Sequence, residues 1–169
     1  TNDQTIEIVD DVVRQLREIC NDFAPRQLHD WGLEMTMQDL AERIKMRTGI
    51  DCVFQRVGKL PNLPEPVQLH LFRIVQESLN NIEKYASASK AIIRIESNQT
   101  SIRVTISDNG KGFESTDKKE PGLESGGMGM QSMRERIELV RCYYPTNMFV
   151  TSEPGRGSSV VIELTIANK

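Results

Sequence analysis

Glu77, Asn81 and Lys84 stand four and three residues apart in a segment with helical patterning, so they share one face. Along such an axis Glu77 and Asn81 lie about 6 Å apart. Both offer oxygen ligands of the kind Mg²⁺ takes. Lys84, one turn further on, suits a phosphate as a point charge. A solvated polar face gives the same pattern. However, Asn80 and Asn81 are poor helix formers, and a pair of them in mid-helix calls for a reason. Asp108 ends a run in which Ile102, Val104 and Ile106 alternate with polar residues, and Gly110 and Gly112 follow in D-x-G-x-G spacing. A carboxylate there can accept a hydrogen bond from the exocyclic amine of a flat nitrogenous ring. Glycines let the backbone approach the ring where a Cβ would collide. Asp, Asn and Gly are also turn residues, and a strand-to-loop turn accounts for the stretch by itself.

Two further glycine clusters can do chemistry. Gly126, Gly127 and Gly129 open a helical run, and glycines at that position expose backbone N–H groups at the positive end of the helix dipole. A phosphate site and a flexible hinge both fit. The P-loop pattern G-x-x-x-x-G-K-[ST] is absent, and a dinucleotide fingerprint would need a preceding strand and a third glycine. Gly155, Gly157 and Ser158 fall between two strand-like runs and read as a tight hairpin, with Ser158 able to bond a ligand lying on the sheet.

The elements that must position these residues follow from periodicity. Ile6, Val9, Val12, Val13, Leu16, Ile19 and Phe23 recur at helical spacings over residues 5–23 and stop before Pro25. Residues 25–32 read as a linker. Leu33, Met37, Leu40 and Ile44 mark a second helix closed by Gly49. Residues 50–57 read as a strand, residues 65–86 as a helix after a proline-rich loop, and Ala91, Ile93 and Ile95 as the next strand. Residues 114–126 are polar and loop-like, and a helix with Met133, Ile137, Leu139 and Val140 follows. Residues 149–152 and the run Val160, Ile162, Leu164, Ile166 close the chain as strands. This predicts an α/β two-layer sandwich, with helices on one face of a mixed, largely antiparallel sheet, preceded by a helical arm.

The bulk composition fits one domain with a core of its own: 169 residues, 38% hydrophobic and 27% charged. A formal net charge of -3 gives no general basic field, so nucleic acid is not an expected partner. No run is apolar enough to span a bilayer, and direct membrane contact is not expected. Cys20, Cys52 and Cys142 are scattered, lack C-x-x-C spacing, and read as reduced and structural in a cytoplasmic setting. The direct start in helical patterning suggests a piece of a longer protein.

The motifs occur in one order: E-x-x-x-N-x-x-K-Y, D-x-G-x-G, G-x-G before a helix, and G-x-G-S in a hairpin. That order resembles the ATP-binding domain of the GHKL superfamily, which includes gyrase, the MutL repair proteins and histidine kinases. Within it, the chain is most similar to sensor histidine kinases of the nitrate-sensor and DesK-like branch. FRIVQESLNN (residues 72–81) resembles that branch's asparagine box, and GMGMQSMRER (residues 127–136) its second glycine box. The resemblance runs from about residue 5 to residue 166. It implies a Bergerat-type ATP-binding fold, with residues 33–169 as the catalytic domain, 25–32 as linker and 1–24 as part of a dimerisation helix. Asn81 would ligate the Mg²⁺ bridging the phosphates, with Glu77 beside it aligning the metal or its water. Lys84 would touch phosphate and Tyr85, where many relatives carry His, would lie against adenine. Asp108 would bind the adenine amine, in a nucleotide-binding loop with Gly110, Gly112 and Phe113. Gly127 and Gly129 would cradle phosphates, beside Met130 where relatives usually have Leu. Ser158 would support Asp108. Residues 114–126 would form a short lid, without the phenylalanine box of many other histidine kinases, that moves on ATP binding.

A histidine kinase also needs an acceptor imidazole, and only His29 and His70 exist here. Leu28, His29 and Asp30 superficially resemble the branch's acceptor box. Their position after the first helix instead resembles the linker that leads into the ATP domain. The acceptor is therefore expected outside this chain, which would bind Mg-ATP without phosphorylating itself. A response regulator is the implied partner, and a homodimer would form through the helical hairpin of the full protein. The rivals are an anti-sigma-factor serine kinase with the same fold and a non-catalytic binding module. The helix over residues 5–23 argues against the first, and the intact Asn81, Asp108 and glycine boxes argue against the second.

Overall fold

A computed structural model of the chain describes residues 26–113 and 128–166. Helix α1 (Arg26–Thr48) leads into strand β1 (Asp51–Val57). Helix α2 (Glu65–Asn81) continues as a π-helical turn (Ile82–Ala86) into strands β2 (Lys90–Ser97) and β3 (Ser101–Asp108). Helix α3 (Met128–Arg141) and strands β4 (Thr146–Glu153) and β5 (Gly157–Thr165) complete the order. The expected helix over residues 5–23, the lid over 114–126 and Gly127 lie outside the described residues.

The strands form one sheet in the order β1-β2-β3-β5-β4. Only β1 and β2 pair in parallel, joined through α2 as a parallel pair requires. The other pairs are antiparallel. Period-two alternation places Ala91, Ile93 and Ile95 of β2, Ile102, Val104 and Ile106 of β3, and Val160, Ile162 and Leu164 of β5 on one buried face. The register aligns them laterally: Ile93 with Ile106, and Ile106 with Val160. Val67, Leu71, Ile74 and Val75 of α2 and Met133, Ile137 and Val140 of α3 close over this face. The opposite face carries cross-strand pairs such as Arg103–Glu163 at 2.6 Å. Helices on one side and charge on the other make the two-layer sandwich that the patterning predicts.

Three expectations need correction. Residues 26–31 are helical rather than a linker: α1 begins at Arg26 and is broken at Gly32, which has φ 76° and ψ 176°. Leu28 and Leu33, on either side of the break, are both buried, so the core holds the two pieces together. The Thr36 hydroxyl donates to the Gly32 carbonyl at 2.7 Å and helps restart the second piece. The helix expected over residues 65–86 is α-helical only to Asn81, after which the wider π turn takes over. Strand β4 extends well beyond residues 149–152 because it pairs with β5 along its whole length. Gly49 does close α1, with φ 76° and its N–H donating to the Lys45 carbonyl at 3.0 Å.

Candidate functional site

A cavity of about 630 Å³ lies between the C-terminal end of α2 and the N-terminal end of α3, over the ends of β3, β4 and β5. That volume is typical of small-molecule sites. One wall carries Glu77, Asn81, Lys84 and Tyr85, and the facing wall carries Gly129 and Met130. Gly112, Phe113 and Ser158 close the strand end. The first wall exists because α2 keeps Glu77 and Asn81 four apart. The π turn then carries Lys84 and Tyr85 into the same space. Single π turns inside α-helices occur frequently at functional sites.

Asp108 stands just behind the cavity wall. Its Oδ1 accepts the Gly110 N–H at 2.7 Å, and its Oδ2 accepts the Ser158 hydroxyl at 2.5 Å. Ser107 pairs with Ser159 across β3 and β5, so Asp108 and Ser158 fall on neighbouring strands at the next step. The carboxylate is held from both sides, with acceptor capacity left on each oxygen. The turn reading and the site reading of Asp108 are therefore both satisfied, because the Gly110 bond is the turn.

The glycines of this loop are needed first by the protein itself. A Cβ on Gly110 would lie 2.2 Å from the Ala86 carbonyl oxygen. One on Gly112, at φ 61°, would lie 2.1 Å from that of Glu153. These close approaches clamp the loop between the π turn and the β4–β5 hairpin. The Lys111 N–H donates to the Ala86 carbonyl at 2.8 Å, and the Lys111 carbonyl accepts the Gly155 N–H at 2.6 Å. Ser152, read from sequence only as a strand residue, takes part as well. Its hydroxyl accepts the Phe113 N–H at 2.8 Å and donates to the Gly157 carbonyl at 3.0 Å. Across the cavity a Cβ on Gly129 would lie 2.2 Å from Glu77 Oε1, so the carboxylate packs directly on the first turn of α3.

The floor is apolar: Ile106, Val150, Val160 and Met133. From sequence, Ile106, Val150 and Val160 read as strand residues and Met133 as a helix residue, and none of them as part of the site. The signal was available, since Ile106 precedes Asp108 by two and Val160 follows Ser158 by two, each on the same sheet face. His29 is not brought to this cavity. It lines a separate groove of about 1460 Å³ with Trp31 and Tyr144, and its Nδ1 lies 3.3 Å from Glu65. His70, on α2, has a buried Nδ1, and burial, with a smaller effect of Arg136, lowers its pKa. Cys52 and Cys142 are free thiols, and burial raises that of Cys52 to about 11. Among the described residues no helix is long and apolar enough to cross a membrane.

Residues 67–168 match the family of histidine kinase-, DNA gyrase B- and HSP90-like ATPases. The chain belongs to this family, as a histidine kinase-type ATPase domain. Among its relatives, the signal transduction histidine-protein kinase/phosphatase DegS of Brevibacillus brevis is 33% identical over 96% of this chain and 40% of that protein. The sensor histidine kinase MctS of Rhizobium johnstonii is 32% identical over 83% of this chain and 30% of its own length. The oxygen sensor histidine kinase NreB of Staphylococcus carnosus is 26% identical over 99% of this chain and 46% of that protein. The chain thus spans less than half the length of these curated relatives. Among solved structures, the catalytic domain of histidine kinase ThkA superposes with a TM-score of 0.59 at 18% identity, covering 81% of this chain and 93% of that one. The Acinetobacter baumannii histidine kinase AdeS superposes with a TM-score of 0.63 at 13% identity, covering 98% of this chain and 82% of that one. At these identities the superpositions establish the fold.

Proposed function

We propose that this chain is the Mg-ATP-binding catalytic part of a cytoplasmic sensor histidine kinase, which delivers a γ-phosphoryl group to a histidine other than His29 and His70. The observation that carries this reading is one cavity with Glu77, Asn81 and Lys84 along a wall and, just behind its strand end, Asp108 held by the lining residue Ser158. In this reading Asp108 accepts the adenine amine, while Ser158 and the Gly110 N–H hold its carboxylate in place. Tyr85 covers the base, Phe113 and Gly112 border it, and Lys84 meets phosphate. The N-terminal turn of α3, with Gly129 and Met130, borders the phosphates, and Gly127, outside the described residues, would cradle them as well. The exposed backbone N–H groups of that turn favour anions.

The donor set fits Mg²⁺. Asn81 and Glu77 supply oxygen atoms to the cavity, and no cluster of three or more His, Cys, Asp or Glu suited to a metal occurs among the described residues. That suits an ion bound through one or two protein oxygens plus phosphate and water. Such a metal, when bound, supplies charge neutralisation on the phosphates. The chain's own task is to position the nucleotide, with Asn81 and Glu77 orienting the metal face and the apolar floor excluding water.

In the longer protein, the phosphate would pass on to an aspartate of a response regulator, and a helical hairpin including residues 1–24 would form the dimer. The names of the relatives support this route over the serine-kinase alternative. Asn81→Ala tests the metal side. Calorimetric titrations of the wild type are expected to show tighter ATP binding when Mg²⁺ is added, and Asn81→Ala to lose that increment while keeping metal-free affinity. An undiminished Mg²⁺ increment in Asn81→Ala would remove it from the metal site.

A further inference from the structure

Asn109 sits between Asp108 and Gly110 with its side chain turned away from the cavity. Its Oδ1 accepts two backbone N–H groups, from Ser89 at 3.0 Å and Lys90 at 2.8 Å. Its Nδ2 donates to the Ser89 hydroxyl at 2.9 Å. Both backbone partners are obligate donors, so the amide orientation is fixed by chemistry. Its own N–H adds a bond to the Lys90 carbonyl at 3.3 Å. The segment it grips begins where the π turn ends, at Ser87, which is left-handed with φ 50° and ψ 37°. Two residues earlier stands Tyr85, and Ala86 is the residue against which Gly110 packs.

We propose that Asn109 is a positioning residue for the base end of the nucleotide site, a role that rests on the adenine reading of Asp108 above. One side chain ties the loop that carries Asp108 to the chain leaving the π turn that carries Tyr85. It thereby sets the gap between the group that bonds the adenine edge and the ring that covers its face. Without this tie the Lys111–Ala86 bond, the long Asn109 N–H bond to the Lys90 carbonyl, the Ala91–Asp108 strand pair and the Gly110 contact still join the two segments, but none of them holds the Ser89 and Lys90 N–H groups. The strained Ser87 backbone is then freer to relax. The Ser89 and Lys90 N–H groups lie at the surface, where water can take over the lost bonds, so the fold survives the change.

The test compares ligands that report on the two ends of the cavity. In Asn109→Ala, affinity for ATP by calorimetry is expected to fall about tenfold, the scale of one to two net hydrogen bonds. Binding of Mg-tripolyphosphate, followed by amide shifts in α2, should stay unchanged. Asn109→Asp keeps an acceptor for both N–H groups, and is expected to restore most of the ATP affinity. Asp108→Asn is run beside them. If Asp108→Asn weakens ATP while Asn109→Ala does not, the positioning role is wrong and the adenine site stands. Equal losses for ATP and tripolyphosphate in Asn109→Ala, with a lowered melting temperature, would make Asn109 a general structural residue and overturn the role. Unchanged ATP affinity in Asp108→Asn would overturn the adenine site and this role with it.

Discussion

A Cβ on Gly129 would lie 2.2 Å from Glu77 Oε1, and that close packing makes Gly129 a probe of the proposed metal wall. A methyl group there would displace a flexible carboxylate rather than backbone, so Gly129→Ala is expected to fold normally. It should reduce the Mg²⁺-dependent part of ATP affinity by about tenfold, or about 1.4 kcal/mol, and leave metal-free affinity intact. Calorimetry with and without Mg²⁺ measures both, and a loss confined to the metal-free state would contradict the contact's role. The grouping of residues at and behind the cavity was legible in the sequence because their spacing was tight: Glu77 to Asn81 on one helix face, Asp108 to Gly112 in one loop. What the loop glycines must avoid was not legible. Gly110 and Gly112 read as making room for a ring, whereas the nearest obstacles are Ala86 and Glu153 backbone oxygens. Those oxygens come from residues far away along the chain, and no local pattern announces them. Ser152 was missed for the same reason, since its two bonds cross from strand to loop.

At the scale of elements, the strands were readable because one face is buried and the other charged, which writes period two into the sequence. Helix α1 misled at its start, where Pro25 and Gly32 read as punctuation around a linker. Burial of Leu28 and Leu33 keeps residues 26–31 helical. The π turn at Ile82–Ala86 has no sequence signature, yet it decides where Lys84 and Tyr85 point. His29 stands on α1 against Glu65 and not in the cavity. Incubated with γ-labelled ATP, this chain is expected to acquire no acid-labile label. Label on His29 would contradict an acceptor elsewhere.

For the whole molecule, strand order was beyond the sequence. Placing β5 between β3 and β4 depends on long-range pairing that alternation alone does not specify, and that pairing is what brings Ser158 to Asp108. The order of the motifs nevertheless carried the family, and the match over residues 67–168 agrees with it. Surface ion pairs such as Arg103–Glu163 and Arg56–Glu34 contribute little to stability. The fold rests on the apolar layer between sheet and helices, whose end at Ile106, Met133 and Val160 is the floor of the cavity. In the proposed function this cavity holds a nucleotide by its adenine amine at Asp108. Its most direct test is a calorimetric titration of ATP into the wild type and Asp108→Asn. The side-chain amide retains one acceptor but adds a donor in a place where Ser158 and Gly110 already donate. Saturable binding to the wild type is expected, with a loss of at least about tenfold in the variant, the scale of a charged hydrogen bond. Equal affinities in the two proteins would contradict the adenine site.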